Sequence, residues 1–200
     1  MTDKTKAVIF DMMGVLIKEA HVIRDLLAPL VKSYLETARA AYKEYEFGII
    51  DKAQFWSKLD SRSPDAIEKL FLNQLRLNDN VHEILSLFKR KYKLAVLSGL
   101  PTDWIERIVK EKNIRQYFDV IDYSGKSKLS KKQPEAFERL LNLLKKEPLE
   151  VYHIDDRPIY IETANKVGIN TIWYDNGLWP CEVCTPKYKI HSLLDLKKIL

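Results

Sequence analysis

The chain has 200 residues, 46% of them hydrophobic and 30% charged, which suits one large globular domain or one domain with a small insert. Six Gly and eight Pro exclude a long low-complexity segment, two cysteines exclude a disulfide framework, and no apolar run is long enough for a membrane span. The net charge of +5 suits an anionic partner such as a small phosphorylated metabolite, although a solvated lysine-rich surface gives the same excess.

No cluster of basic residues interleaves with exposed aromatics, so nucleic acid is not an expected partner. Lys4 and Lys6 before the run AVIF imitate a secretory signal, but Asp11 interrupts the run and no small-residue cleavage site follows. The expected compartment is the cytoplasm. Nothing in the sequence speaks to oligomeric state.

In chain order, the first strand is expected at 7–10, ending at Asp11. Residues 12–92 hold no convincing strand and read as helices over 23–45, 51–59, 64–77 and 81–90, with Pro29 kinking or restarting the first. A crossover that long marks residues 18–78 as a helical cap. Residues 1–17 and 79–200 then form the core domain. Strands follow at 93–97, 118–123, 151–154 and 170–174, alternating with helices at 102–112, 134–146 and 159–167, the last ended by Gly168. The strand runs are short, β-branched and only weakly alternating, as strands buried on both faces should be. Their alternation with helices predicts an α/β fold: a three-layer, Rossmann-like core around a parallel sheet of about five strands, plus a small all-helical cap.

Ligands of parallel sheets bind beyond the carboxyl ends of the strands. Those ends deliver Asp11, Ser98 and the pair Asp155–Asp156, with Lys131 or Lys132 in the loop after the third strand. Carboxylates from two strands, a hydroxyl and an ammonium are the equipment of metal-assisted phosphoryl chemistry: hard oxygen ligands for Mg²⁺ and donors for phosphate oxygens.

Four segments carry a resemblance. AVIFDMMGVL is similar to the first motif of the haloacid dehalogenase superfamily, a strand followed by D-x-D-G-T/V-L. LAVLSG resembles the second motif, KKQPEAF the third and YHIDDRPIYIETANKVGI the fourth, and FGIIDKAQFWSKL looks like the cap pattern of the branch with a helical cap after the first strand. The resemblance spans residues 7 to about 175. It implies a hydrolase in which Asp11 attacks phosphorus and forms an aspartyl-phosphate. Ser98 and the N–H of Gly99 would bind phosphoryl oxygens. Lys131, aligned to the motif lysine through Pro134, Glu135 and Phe137, would offset their charge. Asp11, the backbone carbonyl of Met13, Asp155 and Asp156 would hold the Mg²⁺ cofactor.

The main departure is Met13, where most phosphatases of the family carry an Asp that protonates the leaving group and activates water. General acid–base catalysis contributes about 10²–10⁴-fold, so slow turnover is expected. Gly99 stands where Asn is frequent, Lys132–Gln133 replaces Pro-Asp, and Tyr160 takes a position often held by Asn. Family dehalogenases usually carry Tyr at the Met13 position and a Ser-Asn pair near the fourth motif, so a dehalogenase is the less favoured enzymatic reading. A degenerate member that binds phosphate or a partner is the alternative outside catalysis.

Several residues read as structural. Cys181 and Cys184 form a single CxxC with no second pair and no histidine at ligand spacing. His153 should point into a helix-packed face, His21 and His82 should lie on the surface or cap, and Trp56 with Phe55 should pack the cap. Glu46 and Tyr45 near the cap turn are weak candidates for substrate contact.

Overall fold

The computed structural model describes residues 6–59, 63–182 and 184–200. Lys4 and the rest of the N-terminal five residues of the expected core lie outside the described residues. The described residues form six parallel strands in the order β3-β2-β1-β4-β5-β6: β1 Ala7–Phe10, β2 Lys93–Ser98, β3 Val120–Tyr123, β4 Val151–Asp155, β5 Asn170–Tyr174 and β6 Tyr188–Ile190.

β1 is a four-residue apolar run with every residue buried, and it lies between β2 and β4, paired Ala7↔Lys93 and Ala7↔Val151. Its side chains divide between two hydrophobic layers, as the period of a strand requires. Ala7 and Ile9 join Phe137, Leu140 and Leu144 of α7 (Pro134–Leu144) and Ala164 of α8 (Pro158–Val167). Val8 and Phe10 join Ile84 and Phe88 of α4 (Val81–Lys89) and Ile105 and Ile108 of α5 (Thr102–Glu111). These are the three layers. α8 stops where Gly168 takes a φ of +86°, which a Cβ would disfavour.

Between β1 and β2 the chain forms the helical cap, with α1 at Leu35–Glu46, α2 at Lys52–Lys58 and α3 at Pro64–Asn73. Asp51 caps α2, its carboxylate accepting from the Gln54 N–H at 2.8 Å while Gln54 answers to the Asp51 N–H at 2.9 Å. A four-residue turn of helix, α6 (Ser124–Ser127), follows β3. No helix among the described residues is long and apolar enough to cross a membrane.

Three expectations need correction. The helix expected over 23–45 is a π-helical turn at Val22–Leu27, a 3-10 turn at Ala28–Leu30 and a non-helical stretch before α1 begins at Leu35. Pro29 lacks the N–H that a continuous helix needs. The helix expected to reach residue 77 ends at Asn73, because the following residues pair with the chain leaving the core: Lys18 N–H donates to Arg76 O at 2.9 Å, Asn78 N–H to Leu16 O at 2.8 Å, and Ile17 bridges Leu77. Finally, β6 adds a sixth strand that the sequence reading did not include.

Candidate active site

The carboxyl ends of β1, β2 and β4 open into one cleft of about 310 Å³, whose lining includes Asp11, Met13, Ser98, Gly99, Lys131 and Asp156. Asp11 follows β1, and its N–H continues the ladder to Ile154 O at 2.9 Å. Ser98, 2% exposed, is the last residue of β2. Asp155 ends β4 and Asp156 follows it, both buried. Lys131 enters from the loop before α7, and its Nζ lies 2.6 Å from Asp11 Oδ1 and 2.7 Å from Asp155 Oδ2. Lys132 is exposed.

Three buried carboxylates therefore share one buried ammonium. One oxygen from each of Asp11, Asp155 and Asp156 lies within 4.8 Å of the others. Like charges so close in low dielectric cannot all ionise freely. Burial, reinforced by the charges of Asp155 and Asp156, pushes the Asp11 carboxyl up to about 8 against the pull of Lys131. Burial and the charge of Asp155 push Asp156 up to about 6. Asp155 goes the other way: against the upward push of burial, Lys131 and then His153 bring it to about 2. Lys131 is held above its ordinary value by Asp11 and Asp155, although burial alone would lower it.

The excess of acid fits a divalent cation. With all three carboxylates ionised the cluster carries two uncompensated negative charges beside Lys131, and hard oxygens are the donors that Mg²⁺ and Ca²⁺ take. Asp156 Oδ2 accepts from Asn176 Nδ2 and from Trp179 Nε1, each at 2.9 Å, while its Oδ1 is buried with no hydrogen-bond partner. Asp155 Oδ1 accepts the Arg157 N–H at 2.9 Å. The residues present thus fit a bound cation.

The cap supplies the opposite wall. Helix α1 turns Arg39, Tyr42 and Glu46 into the cleft at i, i+3 and i+7 spacing. Tyr42 OH donates to Gly99 O at 2.6 Å. On the other flank the Arg157 guanidinium sits between two rings, 4.9 Å from the Tyr160 centroid and 4.6 Å from that of Trp179. The His21 ring, on the cap side as expected, lies 4.4 Å from Trp179 and also faces the cleft. Tyr45 does not line the cleft; its OH donates to Asp103 at 2.8 Å. Sequence reasoning missed Arg39, Tyr42, Arg157 and Trp179: the first two share one face of α1 but nothing local says that this face meets the cleft, and the other two reach it from separate segments.

The other residues singled out fall as follows. His153 is fully buried against Phe137 of α7, ring centroids 5.0 Å apart, and its Nε2 also lies 3.2 Å from Asp155 Oδ2. Cys181 and Cys184 are joined as a disulfide in the loop that carries Trp179. Phe55 and Trp56 are buried in the cap as expected.

Residues 5–168 match the family of haloacid dehalogenase-like hydrolases. A phosphorylated carbohydrates phosphatase of Thermotoga maritima is 25% identical over 209 residues, covering 98% of this chain and 90% of that protein. Two solved structures, each aligned over 97% of both chains, share the fold: a HAD phosphatase from Thermococcus onnurineus (21% identical, TM-score 0.73) and a 2-haloacid dehalogenase from Pseudomonas syringae pv. Tomato (20% identical, TM-score 0.71). The two differ in chemistry, so the shared architecture does not choose a reaction. With the family match spanning most of its length, the chain belongs to the haloacid dehalogenase-like hydrolases and is an enzyme of hydrolase type.

Proposed function

We propose that this enzyme is a Mg²⁺-dependent phosphatase of small phosphorylated metabolites, working through an aspartyl-phosphate on Asp11. The observation that carries the reading is the trio of buried carboxylates around the single ammonium of Lys131, at the floor of a cleft walled by arginines. A site so acidic at its base would hold a cation, and the surrounding donors would hold a phosphate dianion. The named activity of the Thermotoga relative supports phosphate esters as the substrate class.

In the proposed mechanism, Asp11 Oδ2 attacks phosphorus, since Oδ1 is engaged by Lys131. Ser98 O–H and the Gly99 N–H donate to phosphoryl oxygens, and Lys131 balances the charge that gathers on nucleophile and phosphoryl group. Asp11, Asp155, Asp156 and the Met13 carbonyl would hold Mg²⁺, which when bound supplies Lewis-acid polarisation of the phosphoryl group. The cap, with limits at 18 and 78 where the two crossing segments are hydrogen-bonded to each other, would exclude water and select the substrate. Met13 offers no proton, so turnover depends on whatever other acid the cleft supplies. Asp155 and Asp156 side by side favour cation-assisted phosphoryl transfer over dehalogenation, since a halide leaves without a metal.

Asp11→Asn tests the nucleophile. Phosphate release should drop by at least about a thousandfold, since one member of a catalytic unit is removed. The variant should still bind Mg²⁺, read as a rise in melting temperature. Undiminished release would exclude the covalent route.

A further inference from the structure

An alkoxide expelled from phosphorus needs a proton, and the thioether of Met13, beside Asp11 in the cleft, has none to give. The other ionisable groups lining the cleft are either committed or poorly matched to the task. Lys131 is held between Asp11 and Asp155, and arginines do not release protons. Tyr42 donates its proton to Gly99 O, and Tyr160, whose OH accepts from Arg157 Nη1 at 3.1 Å, is raised by burial further from the range that suits a general acid at neutral pH. Asp156 takes two donors at its inner edge. His21 is disfavoured as a cation by burial and by Arg24 and Arg157.

Glu46 remains. It is the last residue of α1 and projects from the cap toward the end of β2, where a Cβ on Gly99 would stand 2.9 Å from its Oε1. The bare backbone at Gly99 is what leaves room for this carboxyl group. Its second neighbour is Ser124, whose O–H donates to Leu129 O at 3.0 Å. Turned the other way, the Ser124 O–H would donate to the ionised Glu46 carboxylate and favour that form. When Glu46 loses its proton, Ser124 can swing its O–H from Leu129 to the new carboxylate.

We propose that Glu46, carried by the cap, is the general acid and then the general base of this enzyme. This rests on the phosphatase reading. In the first step the Asp11 oxygen–phosphorus bond forms and the bond from phosphorus to the ester oxygen breaks, while the Glu46 O–H proton passes to that oxygen. An alcohol departs, leaving Glu46 ionised. In the second step a water oxygen bonds to phosphorus, the Asp11–phosphorus linkage breaks, and Glu46 takes a proton from the water. Inorganic phosphate is released and both carboxyl groups return to their starting state. Glu46 has the character this needs: burial raises its pKa above the ordinary value, against the Ser124 hydrogen bond and the charges of Lys131, Arg157 and Lys132. The negative end of the α1 dipole acts in the same sense.

The test is kcat/KM with Mg²⁺ over a series of phosphate monoesters, from p-nitrophenyl phosphate through phenyl phosphate to an alkyl phosphate, for the natural enzyme and Glu46→Gln. Nitrophenolate leaves without a proton and alkoxide does not. The variant should lose about 10²–10⁴-fold on the alkyl ester and change little on the nitrophenyl ester. It should also release a burst of nitrophenolate equal to the enzyme present, as aspartyl-phosphate accumulates without its base. An equal fall on every ester, or an unchanged rate on the alkyl ester, would overturn the assignment. A Mg²⁺-induced rise in melting temperature matching that of the natural enzyme checks that the variant is folded. If the natural enzyme hydrolysed none of the esters, the phosphatase reading would fail, and the role of Glu46 with it.

Discussion

Gly14 stands in the turn after β1 at a φ of +88°, and a Cβ there would lie 2.2 Å from Asp156 Oδ2. The motif glycine therefore clears space for a proposed metal ligand as well as permitting the turn. Gly14→Ala should displace Asp156 and weaken Mg²⁺ binding by about 10–100-fold, the usual effect of disturbing what orients a ligand. Calorimetric titration would measure this, and an unchanged affinity would mean that Asp156 is not a ligand.

The carboxylates also set a pH dependence. Asp11 and Asp156 have folded values raised to about 8 and about 6 from the ordinary 3.8, so the folded state holds protons that the unfolded state releases. Stability of the metal-free enzyme should therefore fall as pH rises from about 4 to about 8. Asp155, lowered to about 2, adds stability that is complete above the unfolded value and is lost only on acidification. It leaves the slope above pH 4 unchanged in sign. Because the proposed Mg²⁺ would bind the ionised carboxylates, its affinity should rise over the same range and saturating Mg²⁺ should flatten the slope. Thermal melts at pH 5 and pH 8, with Mg²⁺ and with chelator, would measure both effects. Equal melting temperatures at the two pH values without metal would contradict the assigned charges.

Among the elements, the junction of cap and core is the most informative. Trp104 of α5 is fully buried, with ring centroids 4.6 Å from Phe71, 5.6 Å from Tyr42 and 5.8 Å from both Tyr45 and Phe55. One core residue thus anchors residues from all three cap helices. Its Nε1 also donates to the buried Glu68 at 3.2 Å. Trp104→Ala should cost about 3–5 kcal/mol in urea unfolding, the range for large-to-small changes in a core. A cost below about 1 kcal/mol would mean that cap and core are joined elsewhere.

What the sequence disclosed about these elements follows their physics. β1 and β5 were legible to the residue because buried parallel strands concentrate apolar, β-branched side chains. β6 was not: of its three residues only Ile190 is buried, too short a run to stand out. The segment 22–34 has helical apolar spacing, and only the missing N–H of Pro29 and the local backbone path decide against a helix.

For the whole molecule, the wiring of the sheet explains which part of the site could be read in advance. Parallel strands deliver their carboxyl ends to one edge, so Asp11, Ser98, Asp155 and Asp156 converge once the strands are recognised. Lys131 needed the motif resemblance to be separated from Lys132. Of the cap wall only Glu46 was legible, as a weak candidate at the cap turn; Arg39 and Tyr42 meet the core only through the packing of helices whose angle no local pattern encodes.

The most direct measurement is phosphate release from p-nitrophenyl phosphate, with Mg²⁺ and with chelator, by the natural enzyme and by Asp11→Asn. The activated ester removes any demand for a proton donor at its leaving group, so the first step depends on nucleophile and cation alone. Metal-dependent release that vanishes in chelator and in Asp11→Asn is the expected result. No release by the natural enzyme at any Mg²⁺ concentration, or release that survives chelation or loss of the Asp11 carboxylate, would contradict a phosphatase built on these three aspartates.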